Sequence, residues 1–222
     1  MQFFTSRGLA FVDVNYGGST GYGREFRERL NGQWGVVDVA DCIAAARHLV
    51  AKGRVDPDRL VVTGGSAGGY VVLASLAFHP DAFAGGTSYY GVSDLEPFAT
   101  ITHKFELRYT DNLVGPWPEA AELWRDRSPV RRADSIRRPV LLLQGLEDAV
   151  VPPSQAEIMI DALERNGVAY AYLPFEAEQH GFRRAETITR ATQAELAFYG
   201  LVLGFEPADD LPPLEMHNSA QE

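Results

Sequence analysis

Leu60-Val61-Val62-Thr63 runs straight into Gly64-Gly65-Ser66-Ala67-Gly68. A short apolar run of this kind is a buried strand, and the serine that follows fits G-x-S-x-G, the sharp strand-to-helix turn that lifts a hydroxyl clear of the backbone. A chain with this junction folds so that a strand delivers a serine to the start of a helix. The turn crowds its own neighbours, so glycine is expected on either side of Ser66, where a Cβ would clash. Glycine-rich turns before helices are common, so the remaining chain must supply the partners that a reactive serine needs.

The flanking segments alternate between strand and helix patterns. Leu9–Val14 reads as a buried strand, followed by the glycine-rich loop 16–23. Apolar residues recur at helical spacing from Val36 to Val50, and Gly53 stops that helix. After the elbow, Ala67–Phe78 is helical up to the residues before Pro80, where the chain is biased away from helix. A short strand lies within 83–90, and 91–138 is irregular with short helices, one near 119–126. Pro139–Gln144 is the strongest apolar strand, 154–166 a helix, 168–175 a strand and 183–203 a last helix. Strands alternating with helices predict an α/β fold with a mostly parallel sheet flanked by helices. Residues 1–204 are expected to form one such domain. The acidic tail 205–222, with Pro207, Pro212 and Pro213, is expected to be disordered.

Composition narrows the setting. With 222 residues and 45% hydrophobic content, one substantial core is affordable. Twenty basic against 30 acidic side chains give a net charge of -10, so no nucleic acid and no membrane partner is expected. Cys42 is the single cysteine, excludes an internal disulfide and reads as a small core residue. No stretch approaches 18 apolar residues, and the N-terminus has no signal-peptide pattern, so a cytoplasmic protein is expected.

A serine hydroxyl needs a general base within hydrogen-bond reach, and the base needs a carboxylate to orient it. Of five histidines, His48 and His79 lie in helix patterns, His103 in the irregular insert and His217 in the tail. His180, in the loop between the last strand and the last helix, sits at the sheet end where catalytic loops gather. Asp148 follows the strongest strand and leads into a helix, which makes it the preferred acid; Asp94, after an earlier strand, is the runner-up. The order Ser66…Asp148…His180 is that of α/β-hydrolases.

These motifs together resemble the catalytic domain of the prolyl oligopeptidase family of serine peptidases, in its acylaminoacyl-peptidase and dipeptidyl-aminopeptidase-like branch. The matching segments are Asn15–Gly23, Trp34–Asp38, Gly64–Tyr70, Tyr89–Leu95, Ser128-Pro129, Gln144–Pro152 and His180–Phe182, spread over residues 1 to about 204. The resemblance implies the α/β-hydrolase fold, Ser66 as nucleophile, His180 as base, Asp148 as orienting acid and the Ala67 amide as an oxyanion donor. It also puts Val151, Phe98 and Phe105 where the family has apolar residues near its specificity pocket, although packing would account for them equally. The implied activity is hydrolysis of short or N-terminally blocked peptides through an acyl-enzyme, with a peptide as partner and neither metal nor cofactor. A carboxylesterase of the same fold is the alternative.

One departure is large. The family's N-terminal β-propeller, its first strands and its HGGP-type loop have no counterpart here. That loop carries the second oxyanion donor, and the strand before it would lie between 9–14 and 60–63. The expectation is a slow chain with an open sheet edge, with room for a homo-oligomer or for an inactive fragment that acts only as a binding partner.

Overall fold

The computed structural model describes residues 1–101 and 109–219. Its elements in chain order are α1 (Gln2–Thr5), α2 (Arg24–Glu28), α3 (Val37–Ala51), β1 (Val61–Gly65), α4 (Ala67–Phe78), β2 (Gly85–Tyr89), α5 (Phe98–Ile101), α6 (Tyr109–Leu113), α7 (Ala121–Asp126), a 3-10 stretch (Pro129–Ser135), β3 (Val140–Gly145), α8 (Ser154–Arg165), β4 (Tyr170–Phe175) and α9 (Ala185–Leu203).

Among the described residues, four strands form one parallel sheet in the order β1-β2-β3-β4. Parallel neighbours need crossover connections, and here helices supply them. Residues buried on both faces of such a sheet read as continuous apolar runs, as Val140–Leu143 do, all fully or nearly fully buried. α4 is apolar on every side and buried from Gly69 to Ala77, as a helix between a sheet and further structure must be. Its Tyr70, Leu73 and Leu76 join Val39 and Ile43 of α3, and Met159 and Leu163 of α8, in one core. A second core on the other sheet face joins Leu141, Leu143 and Ala171 to Ala194, Leu196 and Phe198 of α9.

Because all strands run the same way, Gly65, Tyr89, Gly145 and Phe175 end at one edge of the sheet in matched register: Gly65 with Tyr89, and Gly145 with Phe175. The loops that carry Ser66, Tyr90, Asp148 and His180 therefore leave the sheet at the same end. That is the end at which open α/β sheets bind ligands.

Two expectations are corrected. Leu9–Val14 is not a strand: Phe11 is 38% exposed and Val12 50%, and the segment pairs with no strand among the described residues. Apolar sequence becomes a buried strand only when a neighbour takes up its amides and carbonyls, and among the described residues β1 pairs with β2 alone. The segment 205–219, expected to be disordered, is instead laid against the molecule. Gly204, at φ 68°, caps α9 and turns the chain. Phe205, Leu211, Leu214 and Met216 then pack on the second core. Asp209 takes both arms of the Arg7 guanidinium at 2.8 and 2.6 Å, and Arg190 donates to the Pro213 carbonyl at 2.9 Å. His217 exchanges backbone hydrogen bonds with Tyr170 at 3.1 and 2.7 Å and stacks on its ring. The prolines signalled a break in helix; the apolar residues between them hold the segment down.

Candidate active site

Ser66 occupies φ 57°, ψ -119°, a conformation that residues with a Cβ rarely adopt. Three contacts hold it there. Its amide donates to the Tyr89 carbonyl at 2.9 Å, its carbonyl accepts from Tyr70 at 3.0 Å as α4 begins, and Gly64 lies against the backbone of Gly68. A Cβ at Gly64 would come within 2.5 Å of Gly68 carbon and oxygen, so that glycine is required. The expectation for the other side needs refinement. A Cβ at Gly68 would meet nothing within 4 Å, whereas one at Gly69 would lie 2.6 Å from the Gly91 Cα. The crowding is between α4 and the chain after β2. Ala67 opens α4, so its N–H is one of the four at a helix start without an intrahelical acceptor, at the positive end of the helix dipole.

Asp148 lies in the loop after β3, its side chain fully buried. One oxygen, Oδ1, accepts the amides of Val150 and Val151, each at 2.8 Å; the other, Oδ2, accepts from His180 Nδ1 at 2.8 Å. Buried Gln144 fixes the same loop by donating to the carbonyls of Gly145 and Val151 at 3.0 and 3.1 Å. His180 follows β4, and its Nε2 is 2.8 Å from Ser66 Oγ. A carboxylate can only accept, so Nδ1 carries the proton and Nε2 is left as the acceptor for the serine hydroxyl. The histidine loop packs tightly on the aspartate loop. Glu147 donates to the Glu178 carbonyl at 2.9 Å, and a Cβ at Gly145 would strike that carbonyl oxygen at 2.5 Å.

Glu178 went unnoticed in the sequence. It is 2% exposed, and its two oxygens accept the amides of Arg183 and Arg184, each at 3.0 Å. Burial pushes its carboxyl up, but these amides, the Thr187 hydroxyl and the Arg184 charge outweigh it and hold the group below the usual carboxylate range. The carboxylate thus ties the histidine loop to the start of α9. A glutamate two residues before a histidine carries no motif; a buried acid facing backbone amides becomes visible only in three dimensions.

The runner-up acid is engaged elsewhere. Asp94 Oδ1 accepts from the Glu96 amide and the Ser128 hydroxyl, each at 3.1 Å, and Oδ2 faces Arg131 at 3.7 Å. Val151, expected near a specificity pocket, is 2% exposed within the core, and its backbone holds Asp148. Phe98 is half-buried against the same core, and Phe105 and His103 lie outside the described residues. Among the described residues no helix is long and apolar enough to cross a membrane.

A serine whose hydroxyl points at an oriented, proton-accepting imidazole, with helix amides beside it, is built to attack a carbonyl carbon. Known proteins share this fold. A Mycobacterium tuberculosis puromycin-hydrolyzing peptidase of known structure is 56% identical, with a TM-score of 0.92 over 96% of this chain and 32% of its own. A crystal structure of puromycin hydrolase gives 53% identity and a TM-score of 0.93, over 97% of this chain and 32% of that one. Among curated relatives, dipeptidyl aminopeptidase BIII of Pseudoxanthomonas mexicana is 34% identical over 83% of this chain and 28% of its own length. The chain thus spans about a third or less of these relatives. Its four-stranded parallel sheet and flanking helices are those of an α/β-hydrolase domain. The family model described as prolyl oligopeptidase family matches residues 1–206, and the chain belongs to that family.

Proposed function

We propose that this chain carries the acyl-transfer site of a serine peptidase, with Ser66 as nucleophile, His180 as general base and Asp148 as the acid that orients it. The observation that carries this reading is the pair of 2.8 Å hydrogen bonds joining Ser66 Oγ, the two nitrogens of His180 and Asp148. Ser66 Oγ attacks the scissile carbonyl carbon while its proton passes to His180 Nε2. The carbonyl π electrons move onto oxygen, and the Ala67 N–H stabilises that oxyanion; one such donor contributes about 2.7–4 kcal/mol. Asp148 stabilises the imidazolium without taking its proton. Collapse of the intermediate breaks the C–N bond, and His180 returns the proton to the leaving amine. Water, deprotonated by the same nitrogen, then attacks the ester carbon; the C–Oγ bond breaks to release the acid, and His180 Nε2 returns the proton to Ser66 Oγ.

The substrates proposed are aminoacyl amides and short peptides. Support comes from relatives at 53–56% identity whose names specify hydrolysis of puromycin, itself an aminoacyl amide. The single cysteine suits a reducing, cytoplasmic setting. The test is labelling with a fluorophosphonate, located by peptide mass spectrometry. Label accumulates over time, so even a slow site reports. Label on Ser66 that disappears in Ser66→Ala is the expected result. A folded chain labelled elsewhere, or with Ser66 unreacted after hours in excess reagent, would overturn the assignment.

A further inference from the structure

Tyr90 is a residue that no part of the triad logic requires, yet it is held in an unfavourable conformation beside the triad. It is the first residue after β2, next to Tyr89, whose carbonyl accepts the Ser66 amide. Its φ is 37°, a left-handed value unusual for an aromatic residue. Such conformations persist where the surroundings over-determine them, and they cluster at functional sites. Here the Tyr90 amide donates to the Leu143 carbonyl at 2.7 Å, which pins the backbone to β3.

The conformation aims the ring at His180. The two ring centroids are 5.0 Å apart, with planes at 64°. The Tyr90 ring also meets Phe182 edge-on, at 5.2 Å and 82°. Gly65 leaves the space in which it lies: a Cβ there would sit 3.0 Å from the ring and 3.1 Å from the hydroxyl. The phenol is half-buried, and its pKa is raised, first by burial and then by the charge of Asp148. Strained backbone, absent Cβ and ring contacts all serve one placement.

We propose that Tyr90 is a positioning residue: its ring is the wall that fixes the rotation of the His180 imidazole and keeps water from the His180–Asp148 pair. The inference rests on the triad reading above. An imidazole turns about its terminal side-chain bond in a broad, shallow well. Its hydrogen bond to Ser66 must break and reform in each cycle. A packed wall keeps the ring in line while the proton moves from Oγ to Nε2 and on to the leaving group.

Tyr90→Gly and Tyr90→Phe form the test. Glycine accepts φ 37° without strain, so Tyr90→Gly removes the ring and spares the backbone; phenylalanine keeps the ring and loses the hydroxyl. The readouts are the rate and end-point of fluorophosphonate labelling, the melting temperature, and the downfield NMR signal of the His180 Nδ1 proton. For Tyr90→Gly we expect a rate at least tenfold lower at an unchanged end-point of one label per folded chain. Its Nδ1 signal should broaden through faster exchange with water. For Tyr90→Phe we expect a rate within about threefold of the parent, with the Nδ1 signal retained. A folded Tyr90→Gly that labels at the parental rate with the signal retained overturns the proposal, as does a Tyr90→Phe as slow as Tyr90→Gly. A parent chain whose Ser66 takes no label overturns the triad reading instead, which separates the two failures.

Discussion

Replacing Glu178 by glutamine should loosen the histidine loop and destabilise the fold together. The carboxylate accepts two backbone amides at 3.0 Å from within a 2% exposed position. Glutamine matches its shape but has one acceptor oxygen, so one of the Arg183 and Arg184 amides would face an NH2 group instead. Losing one charge-assisted bond, with a buried amide left unpaired, costs about 2–3 kcal/mol. For a chain of this length that lowers the melting temperature by about 5–10 °C. His180 lies inside the segment the clamp closes, so about half of the loss should reach the site, enough for a roughly tenfold slower labelling of Ser66. The effect has a defined pH window. The Glu178 carboxyl is held below the 4.5 of a free glutamate, so its contribution is complete above that pH and disappears as pH falls through the depressed value. Parent and variant should therefore differ most near pH 7 and converge in acid. Calorimetric melts at several pH values, with labelling rates at pH 7, provide the measurement. Melting within about 1 °C of the parent at pH 7, with unchanged labelling, would refute the clamp.

Asp148→Asn should leave the fold standing but slow turnover by about 10^4, as the equivalent change does in a measured serine protease, because the imidazole is then held in the wrong tautomer. Asp94→Asn should alter stability without that loss of rate, and steady-state kinetics on an aminoacyl p-nitroanilide beside a melt separates them. Asp38 gives a second pH effect of opposite sign. It is 1% exposed, and burial pushes its carboxyl up to about 6 against the amides of Asp38, Val39 and Gly35 and the charge of Arg127. The folded state thus holds this proton more firmly than the unfolded chain, so the Asp38 contribution to stability is complete below pH 3.8 and is lost, by about 3 kcal/mol in all, as pH rises through about 6. Asp38→Asn should flatten that slope in a urea titration series; a slope equal to the parent's would count against it.

The strand–helix alternation after residue 36 was readable because each element carries its own signal. Ala67–Phe78 matches α4 at both ends, and Pro139–Gln144 overlaps β3 to within one residue. The proximity of Ser66, Asp148 and His180 follows from their position after parallel strands, which sheet geometry turns into a shared edge. Segments whose structure depends on a neighbour were less legible. Leu9–Val14 has the composition of a strand but no described partner, and 205–219 has the composition of a loose tail but an apolar floor beneath it. The sequence assigns no part to Glu178 or to Tyr90 individually because their part is conformational: one is a buried acceptor for amides, the other a ring set by a positive φ.

The bridge between His217 and Tyr170 also fixes geography. Tyr170 begins β4, and the histidine loop leaves from its other end at Phe175, about 17 Å away at the usual rise per residue. Residue 217 therefore anchors at the end of β4 remote from Ser66. An affinity handle, a fluorophore or a surface tether attached just beyond it would leave the Ser66 end of the sheet unobstructed, so that immobilised protein could be labelled there as readily as protein in solution.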